Sequence, residues 1–315
     1  MQRLVRIGLM LAGFGAMAQA GPFSSVVVYG DSLSDNGNLF AVSGYPPPPY
    51  YAGRLSNGPV AVEQLAVKLG APLLDFAWAG ASTGIGNLGD GGTPTGFGLF
   101  GLPGMKTELA NTQAMLGPFL STGLFVVWGG PNDFLAPSPL DTTPQAVITR
   151  AVGDVLSIVT TLQGLGAHNI LVPGMADLGL SPDFLAMGPV AAAQATAATN
   201  AFNQALRSSL PPGVLFYDTA ALLRDMVANP SKYGLTDVKD ACFNGTTVCA
   251  DASKYLFFDS LHPTTAVDAF AAQALLAAVT PEPSGFLLAF GGVSWLGITR
   301  LRRRRVRRVP SQTEE

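Results

Sequence analysis

The sequence predicts an α/β fold built on a mostly parallel β-sheet. Five short runs rich in β-branched and aromatic residues recur along the 315 residues. They lack strict polar and apolar alternation, as expected of strands that are buried on both faces. Segments with helical spacing fall between the runs, an order typical of one α/β domain. The runs are "SSVVVYG" (24–30), "PLLDFAW" (72–78), "GLFVVWGG" (123–130), "HNILVPG" (168–174) and "GVLFYD" (213–218).

Four segments predict the main helices. In the segment 142–166, Thr143 and Pro144 stand where a helix begins, and in the segment 58–70, Pro59 occupies a plausible first helical position. The other two predicted helices are an Ala-rich segment at 188–213, which ends in two prolines, and the segment 262–279.

Two stretches predict loops because they are rich in Pro and Tyr or in Gly. They are "SGYPPPPYYAGRLSNG" (43–58) and "GIGNLGDGGTPTGFGLFGLPG" (84–104), and they follow the first and second strands. Since open α/β sheets bind ligands at the carboxyl ends of their strands, both loops are candidates for shaping a site. Disordered insertions are the alternative.

Residues 1–20 have the parts of a secretory signal peptide. Arg3 and Arg6 give a basic start, an apolar stretch follows, and Ala18-Gln19-Ala20 forms an A-x-A cleavage site. An uncleaved membrane anchor is the alternative, although the apolar stretch is short for one. We therefore expect the chain to be exported.

Residues 281–315 combine a Pro-Glu-Pro motif, an apolar segment and an arginine cluster, in that order. The segment from Pro281 to Arg308 resembles the PEP-CTERM sorting tail of bacterial envelope proteins. This resemblance implies a transient membrane helix, a partner machinery that cuts the chain near Pro-Glu-Pro, and a final location in the envelope or extracellular matrix. A permanent tail anchor and a nucleic-acid-binding arm are the alternatives.

The predicted domain between these ends, residues 21–280, is acidic. It contains 9 Lys and Arg against 18 Asp and Glu, a net charge of about −9 that disfavours nucleic acid and anionic lipid headgroups as partners. Cys242 and Cys249 have six residues between them. In an oxidising compartment we expect a disulfide rather than free thiols. Neither histidine of the chain lies at ligand spacing from these cysteines, so the sequence predicts no metal site.

Two familiar motifs overlap at residues 80–89 without the context that they need. Gly80-Ala81-Ser82-Thr83-Gly84 matches the nucleophile elbow G-x-S-x-G, and residues 84–89 match the dinucleotide fingerprint G-x-G-x-x-G. Both motifs require a helix to begin directly after the turn. The stretch "DGGTPTGFG" follows instead, so we interpret both matches as coincidental.

Ser32 has the context that those motifs lack. It follows a predicted buried strand through a Gly-Asp turn, and Asp35, Asn36 and Asn38 can cap a helix start. A serine at this position exposes its hydroxyl at the end of the sheet, near free backbone N–H groups. Ser32 is therefore a candidate nucleophile, with a plain cap and turn as the alternative.

A serine nucleophile needs a neighbouring base, and the chain offers only His168 and His262. His168 precedes the fourth strand, at the opposite end of a parallel sheet from Ser32, and is expected on the surface. His262 lies in "FFDSLHPT", where Asp259 is three residues earlier and can accept a hydrogen bond from the second ring nitrogen. The sequence thus predicts Ser32, His262 and Asp259 as nucleophile, base and orienting carboxylate.

Acyl transfer also needs donors for the oxyanion of the transition state. Gly80 follows the second strand and can present its backbone N–H, and Asn132 follows the third strand and can offer its side-chain amide. Taken alone, each is equally a turn residue. We expect both at the edge of the sheet that carries Ser32.

Four stretches resemble, in order, the conserved blocks of the GDSL (SGNH) hydrolase family. They are "VVVYGDSLSDNGN", "FAWAGAST", "VVWGGPNDF" and "FFDSLHPT". The resemblance is strongest to the phospholipase, lecithinase or haemolysin-like esterases. It implies a flavodoxin-like, three-layer α/β/α sandwich with a five-stranded parallel sheet and no metal or cofactor. It also implies nucleophile Ser32, base His262 with Asp259, and an oxyanion hole of the Ser32 N–H, the Gly80 N–H and the Asn132 amide.

The resemblance implies a secreted serine esterase or lipase that hydrolyses carboxylic esters through an acyl-enzyme on Ser32. The substrate would be a lipid, a small-molecule ester or an acylated polysaccharide. Acyl transfer and the removal of acetyl groups from a polysaccharide use the same mechanism and are alternatives. A non-catalytic envelope or matrix protein is the rival from another class, and binding alone gives no reason to keep the complete set of serine, histidine and aspartate.

Overall fold

A five-stranded parallel sheet organises residues 22–280, which are the residues that the computed structural model describes. The strands are β1 (Val26–Gly30), β2 (Leu73–Asp75), β3 (Leu124–Trp128), β4 (Asn169–Pro173) and β5 (Leu215–Tyr217). They lie in the order β2-β1-β3-β4-β5, and all neighbours are parallel. Each strand falls within one of the predicted runs, so the predicted fold class is confirmed. The predicted signal peptide and sorting tail lie outside the described residues.

Helices cover both faces of the sheet and complete three layers. In chain order they are α1 (Asn38–Ser43), α2 (Ala61–Leu69), α3 (Met105–Thr112), α4 (Pro131–Leu135), α5 (Pro144–Leu165), α6 (Pro182–Ala186), α7 (Pro189–Ser209), α8 (Thr219–Ala228) and α9 (Thr265–Val279). Side chains of α3, α5 and α7 pack against one face, and those of α2 and α9 pack against the other. Helix α5 is long and apolar enough to cross a membrane, but its apolar face lies in this core.

Strand β1 shows why the predicted runs lack alternation. Val27 and Tyr29 pack into the core on the α5 side, whereas Val26 and Val28 pack into the core on the α2 side. Successive side chains of a strand point to opposite faces. Because both faces are covered, every residue of β1 is buried and every position is apolar or glycine.

The helix ends follow local capping rules, with one correction. Helix α5 begins at Pro144 as predicted, and the Thr143 hydroxyl accepts a hydrogen bond from a backbone N–H of its first turn. Helix α2, however, begins at Ala61, so the prediction that Pro59 occupies its first position is wrong. The Glu63 carboxylate accepts a 2.9 Å hydrogen bond from the Val60 N–H, and this interaction makes Val60 the cap residue.

The segment between β5 and α9 contains elements that the sequence analysis did not predict. Helix α8 follows β5 directly, and β6 (Asp237–Ala241) pairs with β7 (Tyr255–Phe257) in a separate two-stranded sheet. Cys242 and Cys249 form a disulfide directly after β6. Strand β7 leads into the turn that carries Asp259 and His262.

Candidate active site

Ser32, His262 and Asp259 form one chain of hydrogen bonds at the carboxyl end of the sheet. Oγ of Ser32 lies 2.8 Å from Nε2 of His262. Nδ1 of the same ring lies 2.8 Å from Oδ2 of Asp259. With Nδ1–H bound to the carboxylate, Nε2 has a free lone pair and can accept the serine proton. The three residues are about nine-tenths buried, so solvent reaches only the edge of this chain.

A tight turn after β1 presents Ser32. The backbone carbonyl of Asp31 accepts hydrogen bonds from the N–H groups of Ser34 and Asp35, and its carboxylate accepts one from Leu33. The turn leaves the N–H of Ser32 without an acceptor among residues 22–280. An unpaired N–H beside the nucleophile is a donor available to a substrate oxygen.

Of the three predicted caps near Ser32, only Asp35 caps helix α1 through its side chain. Its Oδ1 accepts hydrogen bonds from the N–H groups of Gly37 and Asn38 at 2.7 and 2.6 Å. The prediction for the other two is wrong, because neither side chain accepts a hydrogen bond from the start of α1. The Asn38 amide donates to the carbonyls of Asp75 and Ala77, and the Asn36 N–H donates to the Asp75 carboxylate. These two asparagines therefore tie the turn to the neighbouring strand.

An Asx turn sets the positions of Asp259 and His262. Oδ1 of Asp259 accepts hydrogen bonds from the backbone N–H groups of Leu261 and His262, at 2.9 and 2.7 Å. Burial raises the pKa of Asp259, but the adjacent His262 and these N–H groups outweigh it and lower the pKa to about 2. For His262 burial acts in the opposite direction and lowers the pKa. The Asp259 carboxylate outweighs this effect, so the pKa of His262 is raised. The imidazolium form is thus stabilised where a reaction would generate it.

The loop 43–58 reaches the site, and its residues were not predicted individually. The Tyr50 hydroxyl donates a 2.8 Å hydrogen bond to Oδ2 of Asp259. The Ser56 hydroxyl donates to the Pro263 carbonyl, and the Asn57 side chain accepts from the Thr265 N–H. This loop therefore clamps the segment that carries His262. Its position after the first strand was the only signal in the sequence.

Gly80 adopts a conformation that only glycine tolerates at this position. Its φ is +84°, and a Cβ atom added here would lie 2.4 Å from Oδ1 of Asn87. The Asn87 amide is held in place by the carbonyls of Ala79 and Pro103, so the Gly-rich loop 84–104 supports this turn. Within the described part of the chain, the N–H of Gly80 has no acceptor.

Asn132 lies at the start of α4, directly after β3. It is 5% exposed, and Nδ2 donates a 2.8 Å hydrogen bond to the Ala81 carbonyl, which leaves its second N–H for another acceptor. The adjacent Asp133 carboxylate accepts from both the N–H and the hydroxyl of Thr83 and pairs with Arg150 at 2.7 Å. These contacts fix the turn after β3 against the turn after β2.

Two buried carboxylates join the ends of β1 and β2. Asp35 accepts a 2.7 Å hydrogen bond from the Ala79 N–H. The two oxygens of Glu108 accept from the N–H groups of Gly30 and Trp78, each at 3.1 Å. Burial raises the pKa of Glu108 well above its usual range. Because the Glu108 side chain binds both strand ends, it fixes the turn that carries Ser32 relative to the turn that carries Gly80.

Neither Ser82 nor His168 takes part in the hydrogen-bond chain from Ser32 to Asp259. Ser82 of the G-x-S-x-G match is buried and donates its hydroxyl to the Gly86 carbonyl at 2.7 Å. His168 is exposed and precedes β4, at the opposite end of the sheet. Residues 22–280 contain no group of three His, Cys, Asp or Glu side chains arranged to hold a metal ion.

Known proteins similar to this chain include an acyltransferase, an esterase/lipase and a hemolysin. It is 30% identical to the phosphatidylcholine-sterol acyltransferase of Aeromonas hydrophila, over 77% of this chain and 72% of the relative. It is 25% identical to a GDSL esterase/lipase of Arabidopsis thaliana, over 84% of this chain and 90% of the relative. The thermolabile hemolysin of Vibrio parahaemolyticus is 24% identical over 83% of this chain, which spans 65% of that relative. The first and third relatives fit the phospholipase and haemolysin-like branch.

Similarity to solved structures is more distant. The crystal structure of Axe2, an acetylxylan esterase from Geobacillus stearothermophilus, matches with a TM-score of 0.46 and 14% identity, over 84% of this chain and 97% of that one. The family profile of GDSL-like Lipase/Acylhydrolase matches residues 26–275. The chain therefore belongs to the GDSL-like lipase/acylhydrolase family and is a serine hydrolase that acts on ester bonds.

Proposed function

We propose that this protein is an exported esterase or lipase that cleaves carboxylic esters through an acyl-enzyme on Ser32. The observation that carries the proposal is the continuous chain from Oγ of Ser32 through His262 to Asp259, with both links at 2.8 Å. A nucleophile, a base and a carboxylate in this order are the parts that acyl transfer from an ester requires.

In the first half of the reaction, Oγ of Ser32 bonds to the ester carbonyl carbon while Nε2 of His262 takes the hydroxyl proton. Asp259 holds the neutral ring in the tautomer that leaves Nε2 free, and it then stabilises the imidazolium. The tetrahedral intermediate then collapses, the bond to the alcohol oxygen breaks, and the alcohol leaves with the proton from His262. The product that remains is an ester of Ser32.

The oxyanion of that intermediate would be held by the N–H groups of Ser32 and Gly80 and by the amide of Asn132. Two features support this assignment: neither N–H has an acceptor among the described residues, and the amide has one N–H free. Preorganised donors stabilise the negative charge without any reorganisation during the reaction. In the second half, water replaces the alcohol, and the same groups release the acid.

Export to the bacterial envelope is part of the proposal. It is supported by the signal-peptide pattern at residues 1–20 and by the order of motifs in residues 281–315, which resembles a sorting tail. The disulfide between Cys242 and Cys249 suits an oxidising compartment.

Acyl transfer is the second candidate, because the relative from Aeromonas hydrophila is named an acyltransferase and is 30% identical. The same acyl-enzyme would form, and an alcohol instead of water would take the acyl group from Ser32. Product analysis with an added sterol or sugar separates the two activities: a new ester indicates transfer, and free acid alone indicates hydrolysis.

Hydrolysis of p-nitrophenyl esters by the wild-type chain and by Ser32→Ala tests the proposal. We expect the substitution to reduce kcat by at least about 10³, since the nucleophile is lost. Equal rates for the two proteins would contradict the assignment of Ser32.

A further inference from the structure

An apolar pocket lies beside Ser32 and His262. Its walls are mostly apolar, and it is partly open to solvent. Helices α8 and α9 and strand β7 supply a large part of its apolar wall. Their apolar residues in this wall are Leu222, Leu223, Met226, Phe257, Val267 and Ala271.

The chemistry of the wall suits an uncharged alkyl chain. Met226, Phe257 and Val267 are at most 4% exposed, so the far part of the pocket is deep in the protein. No Lys or Arg lines the pocket in the described residues. Two carboxyl groups, Asp31 and Asp268, also lie in the wall, and burial raises the pKa of both. A carboxylate ligand would meet no Lys or Arg here, whereas methylene groups would leave water for apolar contacts.

The reaction decides which half of an ester the pocket holds. The alcohol must leave the site, and water must take its place before the acyl-enzyme is hydrolysed. The acyl group, in contrast, stays bonded to Oγ of Ser32 through both halves of the reaction. A recess lined by Ser32 and by buried apolar side chains suits the acyl group, because its contents stay in place from the formation of the acyl-enzyme until its hydrolysis.

We propose that this pocket binds the acyl chain of the substrate, and that Leu222 and Met226 of α8 set the length of chain that it accepts. The inference rests on the proposed function and narrows it. The preferred substrate is an ester of an unbranched fatty acid longer than acetate, and acetyl esters are poor substrates.

Two substrate series with the full wild-type chain test this assignment. In the first series the alcohol is p-nitrophenol and the acyl group grows from acetate to decanoate. In the second series the acid is acetate and the linear alcohol grows from ethanol to octanol. We expect kcat/KM to rise about fourfold for each methylene added to the acyl chain, until the pocket is full, and to change little with the alcohol. Highest activity on acetate in the first series, or a rise only in the second, would overturn the proposal.

Variants of helix α8 test the role of its side chains. Leu222 is partly buried in the wall, and the neighbouring Ala221 is exposed on the opposite side of the same helix. We expect Leu222→Trp to lower the ratio of kcat/KM for octanoate to that for acetate at least tenfold. Ala221→Trp, the matched control, should keep the wild-type ratio. An unchanged ratio in Leu222→Trp, with a wild-type circular dichroism spectrum, would overturn the proposal.

Met226→Ala should change the preferred acyl-chain length in the opposite direction to Leu222→Trp. This test does not require the Leu222→Trp variant to fold. Removing this buried side chain lengthens the pocket, so the preferred acyl chain should become longer. An unchanged optimum would overturn the role of Met226. The test also separates this inference from the proposed function: a folded wild type that cleaves no ester contradicts the function itself, whereas a preference for acetate contradicts only the pocket.

Discussion

The Tyr50 hydroxyl donates a 2.8 Å hydrogen bond to Oδ2 of Asp259, although the two residues are 209 positions apart in the chain. The Tyr50 ring packs edge-on against Phe258, with 5.4 Å between the ring centroids. Burial and the neighbouring carboxylate raise the pKa of Tyr50, so the phenol keeps its proton and remains a donor at neutral pH. The carboxylate that orients His262 therefore receives support from the loop 43–58.

Loss of this hydrogen bond should change the basicity of His262. In Tyr50→Phe the Asp259 carboxylate has one donor fewer, so it should hold the imidazolium proton more strongly. We expect kcat/KM at neutral pH to fall about tenfold, as for the loss of a hydrogen bond to a charged group, and the pH profile to shift to higher pH. Tyr51→Phe, an exposed residue of the same loop, is the control. A shift to lower pH would contradict this account.

The pH dependence of kcat/KM reports on His262 directly. The histidine acts as a base only when neutral, and Asp259 raises its pKa. Activity should therefore increase with pH, with a midpoint above the usual histidine value of about 6.5. In Asp259→Asn the midpoint should move to lower pH, and kcat should fall by about 10⁴ because the tautomer is no longer held. A wild-type midpoint below 6 would be inconsistent with the described pair.

The assignment of the oxyanion donors predicts a loss of kcat with little change in KM. Asn132→Ala should lower kcat by about 10² to 10³, since the lost interaction is made in the transition state. Gly80→Ala should have a comparable effect and should also lower the melting temperature, because its Cβ would collide with Asn87. Gly91→Ala is the matched control: its φ is also positive, at +80°, but nothing lies within 4 Å of the added atom. Full activity of Asn132→Ala would disprove its role.

Asp31 predicts an unusual dependence of stability on pH. Its Oδ2 is buried without a hydrogen-bond partner among residues 22–280, and burial raises its pKa to about 7. A carboxyl group whose pKa is higher in the folded state is most favourable to folding below about pH 4, and this contribution is lost as pH rises through 7. Asp31→Asn keeps the acceptor for Leu33 and cannot ionise. The melting temperature of the variant relative to wild type should therefore be higher at pH 8 than at pH 5. If the difference in melting temperature between Asp31→Asn and wild type is the same at pH 5 and pH 8, Asp31 does not carry a destabilising buried charge.

The sequence was sufficient to predict the sheet and the proximity of Ser32, His262 and Asp259, for separate physical reasons. Strands covered on both faces must be apolar at every position, so β1 and β3 are visible as continuous runs. The carboxyl ends of parallel strands meet at one edge, which places residues after different strands together. With only two histidines in the chain, two observations separated them: His168 precedes the fourth strand, and His262 has Asp259 three residues earlier.

Features that depend on distant contacts could not be predicted in the same way. Tyr50 lies in a loop without periodicity, and its partner belongs to the last block of the chain. The pocket beside Ser32 depends on how α8 and α9 pack, which no local pattern describes. The start of α2 also differs from the local pattern. Pro59 favours a helix that begins at Pro59, but the hydrogen bond from the Val60 N–H to the Glu63 carboxylate accompanies a helix that begins at Ala61.

The central claim is that Ser32 is the residue that becomes acylated, and covalent labelling tests it most directly. The full chain is incubated with a fluorophosphonate ester, which phosphonylates an activated serine and releases fluoride, and the modified peptide is located by mass spectrometry. We predict one adduct per chain, on Ser32, and none in Ser32→Ala or in wild type blocked beforehand by an ester-competitive inhibitor. An adduct on Ser82 of the G-x-S-x-G match, or no adduct on a folded chain, would contradict the account.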